Sequence, residues 1–494
     1  MSRTRTRSPA WHVERRGLEA VPLAERRGGV RGVFAVWFAG NLAITSVVIG
    51  AVVASYGLSV WQDLLALLGA SSFLIVGYFG LPGMRTGRPT MALSEASFGS
   101  WGNVVPSLLS WLNLVGWETV VLVIAAYALT GAYDAAVGAR QNPVALVVAL
   151  GVVAALAFSV AFMGHAALVR VQSVFACLFG VLTVVVVALL VPKVHWHVLL
   201  GAPSGPWLTG VVPALSIVIA ASGLSWVNTA SDYTRYLRPD TPAWRVVWAT
   251  ALGAAIPVFL LMALGMVLAS TAPSLASTAD PIGALQAMLP TWVRVLYLLT
   301  AVGGMVTGDI LDIYSAGLSL LAARVRLPRS RTVLVDAAVS LSASLYVLLV
   351  ARNVTGTFEA FLGVVACFLA PWTAIFLLDT RSALRSDYPK QRPTSRWRWQ
   401  ACAAWLIGTA VALAFTSTGV LSGPLARGVF RGSSLGYLVG FFVTLGLYGG
   451  LRRPTRRRER RDESEGEASV AGRREDRRQT PRYPRRSAAP RSDG

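Results

Sequence analysis

Apolar residues in this chain fall in long runs, each close to the twenty or so residues that a helix needs to cross a bilayer core of roughly 30 Å. Twelve runs can be read: 33–54, 60–80, 104–131, 143–163, 168–191, 208–229, 246–269, 292–322, 332–350, 357–379, 400–417 and 434–451. Turn-forming residues separate them, among them Pro82-Gly83, Asn142-Pro143, Pro203-Ser204-Gly205-Pro206, Pro239, Pro273 and Ser422-Gly423-Pro424. The pattern predicts an all-α polytopic membrane protein with twelve transmembrane helices. The Arg-rich start runs straight into a 22-residue span, too long for the apolar stretch of a signal peptide, so no cleavable leader is expected.

Composition agrees. Of 494 residues, 54% are hydrophobic and 14% charged, against about 25% charged in an average soluble domain, and the mean hydropathy is +0.56. A soluble enzyme, a disordered chain and a disulfide-stapled domain are excluded. Sixteen Trp suit aromatic belts at two membrane interfaces. Cys177, Cys367 and Cys402 lie in apolar stretches and read as packing residues.

The net charge of +21 has a location. Residues 1–31 carry +5 and residues 452–494 carry +7. We therefore divide the chain into a basic N-terminal tail (1–31), a twelve-span domain (32–451) and a disordered basic C-terminal tail (452–494). With the N-terminus inside, cytoplasmic loops hold sixteen Arg and Lys and outer loops six. This obeys the positive-inside rule and places both termini in the cytoplasm of a plasma-membrane protein. Arginines flanking apolar spans fit attraction to anionic lipid rather than to nucleic acid.

Polar residues at bilayer depth need a reason. In span 1, Gly40-Asn41 weakens the helix about a third of the way across, where unwinding would bare carbonyls; a small-residue packing face is the plainer alternative. Span 3 holds Asn113, Gly116, Trp117, Glu118 and Thr119, with Trp117 mid-membrane as a stacking plate or a packing residue. Span 6 crowds Ser222, Gly223, Ser225 and Trp226 together, followed by Asp232 and Arg235, whose spacing of three suits a clamp at the helix end. In span 8, Asp309 and Asp312 share a face, and at least one should serve ligand, cation or proton, unless the two make a single structural pair with a neighbouring helix. Spans 1 and 6 are five apart, as are 3 and 8. Two inverted five-helix repeats would bring these departures together near the midplane.

Several segments resemble the nucleobase–cation symport-1 family, which includes cytosine, purine and allantoin permeases and a hydantoin transporter. They are Trp37-Phe38-Ala39-Gly40-Asn41, Gly83-Met84-Arg85-Thr86-Gly87-Arg88-Pro89 with Phe98-Gly99, Leu114-Val115-Gly116-Trp117, Ser231-Asp232-Tyr233-Thr234-Arg235-Tyr236-Leu237-Arg238-Pro239, and Asp312-Ile313-Tyr314-Ser315-Ala316-Gly317-Leu318. The resemblance covers about residues 25–450. It implies a five-plus-five inverted-repeat fold with two extra C-terminal helices. It implies that Trp117 stacks on substrate, that Asp312 stands where the family has a substrate-binding Asn, and that residues 223 to 226, including Gly223, Ser225 and Trp226, form the facing wall. Ala39, Gly40 and Leu42 would offer carbonyls, and Thr307 a hydroxyl, to a cation. Three departures stand out: Val121 where an amide is usual, Asp at 312, and Val306 at a hydroxyl position. They put proton coupling, through Asp309 or Asp312, level with sodium.

The expected activity is secondary active symport of a nucleobase or related planar nitrogen heterocycle, cytosine or a purine foremost, coupled to a proton or sodium. Hydantoin, allantoin and vitamin-like rings are alternatives. Trp117, Asp312 and Glu118 would hold the ring, while spans 1, 2, 6 and 7 rock against 3, 4, 8 and 9. No cofactor beyond the co-transported cation is expected, and the protein is read as a monomer. Two rivals from other classes are a channel or sensor, and a membrane prenyltransferase holding Mg²⁺ on Asp309 and Asp312; the latter lacks the further Asp clusters it would need. His195-Trp196-His197, without a third ligand, reads as ordinary loop.

Overall fold

The computed structural model describes residues 13–138, 142–271, 290–350, 354–384, 395–418, 421–431, 433 and 435–452. Residues 1–12 and 453–494, and with them most of the two expected tails, lie outside the described residues, as does Pro273.

All twelve apolar runs are helical. Among the described residues, nine helices are long and apolar enough to cross a membrane: Val60–Thr86, Val104–Val137, Pro143–Met163, His165–Lys193, Trp207–Leu224, Ala243–Ala269, Val293–Ala322, Arg329–Leu349 and Gly363–Ser382. A tenth span is a bent pair, Val30–Gly40 and Thr45–Ala54, meeting at 63°. Two shorter apolar helices, Trp399–Phe415 and Gly436–Leu451, complete the twelve. They are called spans 1 to 12 in chain order. Spans 1 and 6, five apart, are both interrupted: span 1 between Gly40 and Thr45, and span 6 at Ser222, whose φ of −103° and ψ of −114° are non-helical.

Spans 3 and 8 lie along one another at the centre. Span 7 packs on both halves of span 1 and on span 2, while the first half of span 1 also meets spans 5 and 8. Spans 11 and 12 pair with each other, and span 10 leans on span 12. In lipid, close helix packing needs small residues at the crossing. Gly50 of span 1 and Gly265 of span 7 supply them: a Cβ on either would collide with backbone of the other helix, Met262 and Val47 respectively. Exposed aromatics gather at both ends of the bundle. Trp101, Trp244, Trp397 and Trp399 lie at the end that carries the N-terminal segment, and Trp61, Tyr133, Trp196, Trp207 and Tyr346 at the other.

One sequence expectation fails locally. Pro82-Gly83 does not separate spans; span 2 continues helical to Thr86 and stops at Gly87, whose φ of +75° is left-handed. The proline is tolerated because a hydroxyl from elsewhere enters the helix. Ser231 Oγ donates to the Phe79 carbonyl at 2.6 Å and accepts the Gly83 N–H at 3.0 Å, bridging the groups that would otherwise bond each other.

Residues 13–29 form a strap across the N-terminal end of the bundle. Its Arg26 is buried and donates to the carbonyls of Val21 (2.7 Å), Met84 (3.3 Å), Arg85 (3.2 Å) and Thr86 (2.6 Å). A guanidinium fork here satisfies the orphan carbonyls at the end of span 2.

Candidate functional site

The break in span 1 faces span 8. Asn41 follows the last helical residue, and its Nδ2 donates back to the Trp37 carbonyl at 2.8 Å. Opposite, span 8 presents Gly303-Gly304 and then Thr307-Gly308. The Thr307 hydroxyl lies 2.8 Å from the Ala39 carbonyl and 2.8 Å from the Gly304 carbonyl. Residue 304 must be glycine for this approach, because a Cβ there would meet the Leu42 carbonyl; a Cβ at Gly308 would come within 3.0 Å of the Gly40 carbonyl. Gln172 of span 5 adds its amide N–H to the Thr307 carbonyl at 2.6 Å. Thus Ala39, Gly40, Leu42 and Thr307 do come together, as an oxygen-rich seam of the kind hard cations favour. Asp309 does not join it. It is fully buried, and neither carboxylate oxygen has a hydrogen-bond partner among the described residues.

The break in span 6 faces span 2. The Gly223 N–H donates to Ser72 Oγ at 2.9 Å, and a Cβ at 223 would strike Ser72. The Ser225 hydroxyl turns inward to the Ala220 carbonyl, while the Ser225 carbonyl accepts Asn113 Nδ2 of span 3 at 3.3 Å. Two buried acceptors at this point, Ser222 Oγ and Asn113 Oδ1, have no partner among the described residues. Trp226 is half-buried and edge-on to Trp37, with centroids 5.5 Å apart at 79°.

Trp117 is half-buried on span 3. The adjoining Gly116 lies against the Phe361 ring of span 10, leaving no room for a Cβ. Asp312 keeps a sliver of exposed surface, 4%, whereas Glu118 has none. Glu118 faces Asp336 of span 9, whose Oδ1 takes the Trp111 indole N–H at 2.7 Å. Glu118 belongs to a buried set of acids with Asp309, Asp312 and Asp336, and neither of its carboxylate oxygens has a hydrogen-bond partner among the described residues. None of these four makes an ion pair among the described residues.

The clamp between Asp232 and Arg235 is corrected. Asp232 Oδ1 accepts the Thr90 N–H at 2.8 Å and the Thr90 hydroxyl at 3.0 Å, capping the short helix Thr90–Phe98. Arg235 instead pairs with Glu14 of the strap at 2.7 Å. Their spacing of three had suggested one helical face, but span 6 ends at Trp226 and the motif continues as turns and a single 3-10 turn, Ala230–Asp232. Each of its residues has a separate job. Ser231 enters span 2, the Tyr233 hydroxyl lies 2.8 Å from both the Leu311 carbonyl and Ser315 Oγ, and the Thr234 hydroxyl donates to the Gly80 carbonyl at 2.6 Å.

Sequence reading missed Asp336, Gln172, Phe361 and Glu14. The first two carried a signal, a polar residue inside an apolar run. Phe361 and Glu14 carried none, since a ring in a span and an acid in a basic tail are both ordinary.

Several known proteins resemble this chain. A family model described as permeases for cytosine/purines, uracil, thiamine and allantoin matches residues 20–440. YxlA of Bacillus subtilis (strain 168), named as a purine-cytosine permease, is 24% identical over 439 residues, 84% of this chain and 91% of its own length. The purine-cytosine permease FCY2 of Saccharomyces cerevisiae is 24% identical over 307 residues, 60% of this chain and 52% of its own. Among solved structures, Mhp1, a nucleobase-cation-symport-1 transporter in a closed conformation with bromovinylhydantoin bound, superposes with a TM-score of 0.66 at 17% identity, covering 90% of this chain and 94% of that one. A sodium-coupled sialic acid symporter in an outward-open, substrate-bound state gives 0.62 at 15%, covering 87% and 91%. The fold is that of Mhp1, twelve spans built as five-plus-five with two more at the end. The prenyl-transfer reading falls away, because the chain is a multi-pass membrane transporter and not an enzyme. With its match running from residue 20 to 440, the chain belongs to the family of permeases for cytosine/purines, uracil, thiamine and allantoin.

Proposed function

We propose that this permease imports cytosine or a purine together with a proton, by alternating access. One observation carries the reading: Trp117 stays half-buried at mid-span, on the helix whose Asn113 is tied to the break in span 6. A large ring left partly uncovered among polar groups is suited to stack on a flat guest. Trp226, braced edge-on by Trp37, closes the other side. Asp312 accepts from ring N–H or exocyclic amine groups. Asn113 Oδ1 and Ser222 Oγ, both buried without partners among the described residues, supply further edge contacts. Stacking favours any planar ring; the polar edge selects, because a wrong base leaves these groups unpaired. The names of the relatives support the substrate class.

Asp309 and Asp312 are assigned the proton. Neither makes an ion pair among the described residues, and a carboxyl at this depth without a cation is neutral only with its proton bound. The Thr307–Ala39–Gly304 seam favours sodium as the second reading. The arginine bias supports a plasma-membrane protein with both termini in the cytoplasm, and we read it as a monomer surrounded by lipid.

Purified protein in liposomes tests this. Uptake of radiolabelled cytosine, adenine, allantoin and hydantoin is compared under an imposed proton gradient and under a sodium gradient. The reading expects saturable cytosine or adenine uptake driven by acid outside, with counterflow. Uptake driven by sodium alone moves the coupling to the seam, and absence of counterflow makes the protein a channel or sensor.

A further inference from the structure

We infer that Glu14 is the lock of the N-terminal face: it holds this end of the permease shut, and its release opens the path to that side. The site is built from both moving parts. Arg235 and Tyr236, in the turns between spans 6 and 7, belong to the bundle of spans 1, 2, 6 and 7. Glu14 Oε1 accepts Arg235 Nη2 at 2.7 Å and the Tyr236 hydroxyl at 2.5 Å. On the other side, Glu14 Oε2 accepts the His165 N–H of span 5 at 2.8 Å, and Oε1 lies 3.4 Å from the Tyr314 hydroxyl of span 8. The Glu14 N–H donates to the Met163 carbonyl of span 4 at 3.0 Å, and Arg329 of span 9 reaches the Glu14 carbonyl at 3.5 Å.

The strap is anchored asymmetrically. Arg26 and the Val21–Gly87 backbone bond (2.9 Å) fix its later half to span 2, and Gly28 bonds the Tyr236 carbonyl at 3.0 Å. Among the described residues, every hydrogen bond from the strap to spans 4, 5, 8 and 9 is made by Glu14. Those spans can part from the bundle only if Glu14 lets go of one side. Letting go of Arg235, whose side chain is wholly buried, would strand a charge in the interior, which is costly. Separation from spans 4, 5, 8 and 9 gives up the His165 N–H, the Tyr314 hydroxyl and the attraction of the Arg329 guanidinium, and also breaks the 2.8 Å bond from Arg235 to the Tyr314 hydroxyl. A cavity of about 960 Å³ lies under the strap, with Glu14, Val36, His165, Tyr233 and Tyr236 in its walls. Its wall on span 1 runs from Gly32 to Val36.

The inference rests on the alternating-access reading above. Its test is run without substrate, so that a wrong substrate and a wrong lock give different failures. Val36→Cys, in a full-length chain with Cys177, Cys367 and Cys402 replaced by Ala, is reconstituted in liposomes and labelled with a membrane-impermeant maleimide from the N-terminal side. Val36 is 1% exposed in the closed arrangement. Glu14→Gln, which keeps the shape and loses the charge, should speed labelling roughly tenfold or more, the size of a lost charge-assisted bond. Tyr236→Phe, a milder change, should speed it less and in the same direction. Arg16→Gln, which removes the exposed Arg16–Glu25 pair in the same strap, should leave it unchanged. Unchanged labelling in both Glu14→Gln and Tyr236→Phe overturns the lock, as does equal acceleration by Arg16→Gln. If Glu14→Gln does not insert, Tyr236→Phe decides alone.

Discussion

The Thr307 hydroxyl of span 8 touches the Ala39 carbonyl where span 1 comes apart, 2.8 Å away and a further 2.8 Å from the Gly304 carbonyl. A single hydroxyl proton serves one carbonyl at a time, so the seam holds an excess of acceptor oxygens. If sodium couples transport, it enters here, and Thr307→Val should abolish sodium stimulation of uptake while Thr307→Ser keeps it. If a proton alone couples, both variants transport with the same cation profile as the parent. Uptake at fixed pH with sodium exchanged for choline reads the difference.

Trp117 offers the plainest assay of the substrate pocket. Base stacking on an aromatic side chain is worth about 1–3 kcal/mol by alanine substitution. Trp117→Ala should therefore raise the apparent KM for the preferred base between roughly fivefold and a hundredfold, and Trp117→Phe by much less. An unchanged KM in Trp117→Ala would remove this ring from the site.

The four buried acids can be separated by their neutral amides. Asp309→Asn should flatten the pH dependence of uptake and preserve exchange of substrate across the membrane, since exchange needs no net proton movement. Asp312→Asn should weaken substrate binding as well. Asp336→Asn keeps an acceptor for the Trp111 indole, so it tests whether charge at span 9 matters or only the hydrogen bond.

Ser231 is predicted to matter for stability before transport. Ser231→Ala leaves the Phe79 carbonyl and the Gly83 N–H inside span 2 without their bridge. Buried groups stranded in this way cost about 1–3 kcal/mol each. A lower melting temperature in detergent, with the KM of surviving protein near that of the parent, is the expected result. Gly265→Ala should destabilise too, by about 1–3 kcal/mol, through overpacking against Val47.

Glu14 should add nothing to the pH profile in the working range. Burial by itself would push its carboxyl up, but the Arg329 and Arg235 guanidinium groups, the Tyr236 hydroxyl and the His165 N–H bring it down to about 2 from an ordinary 4.5. A lowered carboxyl contributes stability that is fully present above 4.5 and is lost as the pH falls through 2. Labelling of Val36→Cys should be flat between about pH 5 and 8 once corrected for the reagent's own pH dependence. A rise within that window would mean that Glu14 is not held as described.

Much of this protein was legible before any coordinates. The bilayer imposes a length and a polarity on each crossing segment, so the twelve runs in the sequence became twelve helices. The weak point Gly40-Asn41 became the break in span 1, because backbone that leaves the helix at depth needs flexible or side-chain-capped residues, whereas the break at Ser222 in span 6 was seen only in the structure. Mid-span Trp117 and the paired acids of span 8 stood out for the same reason. What the sequence left open was where each polar group finds its partner. Asp232 and Arg235 sit three apart in the chain, yet one caps Thr90 and the other meets Glu14 more than two hundred residues away. Ser231 mends a helix begun 171 residues earlier, at Val60, and Glu118 of span 3 faces Asp336 of span 9. Local spacing fixes which side of a helix a residue occupies. Only the packing of twelve helices decides what lies on the far side of it, and in a medium without water that partner determines what the residue can do.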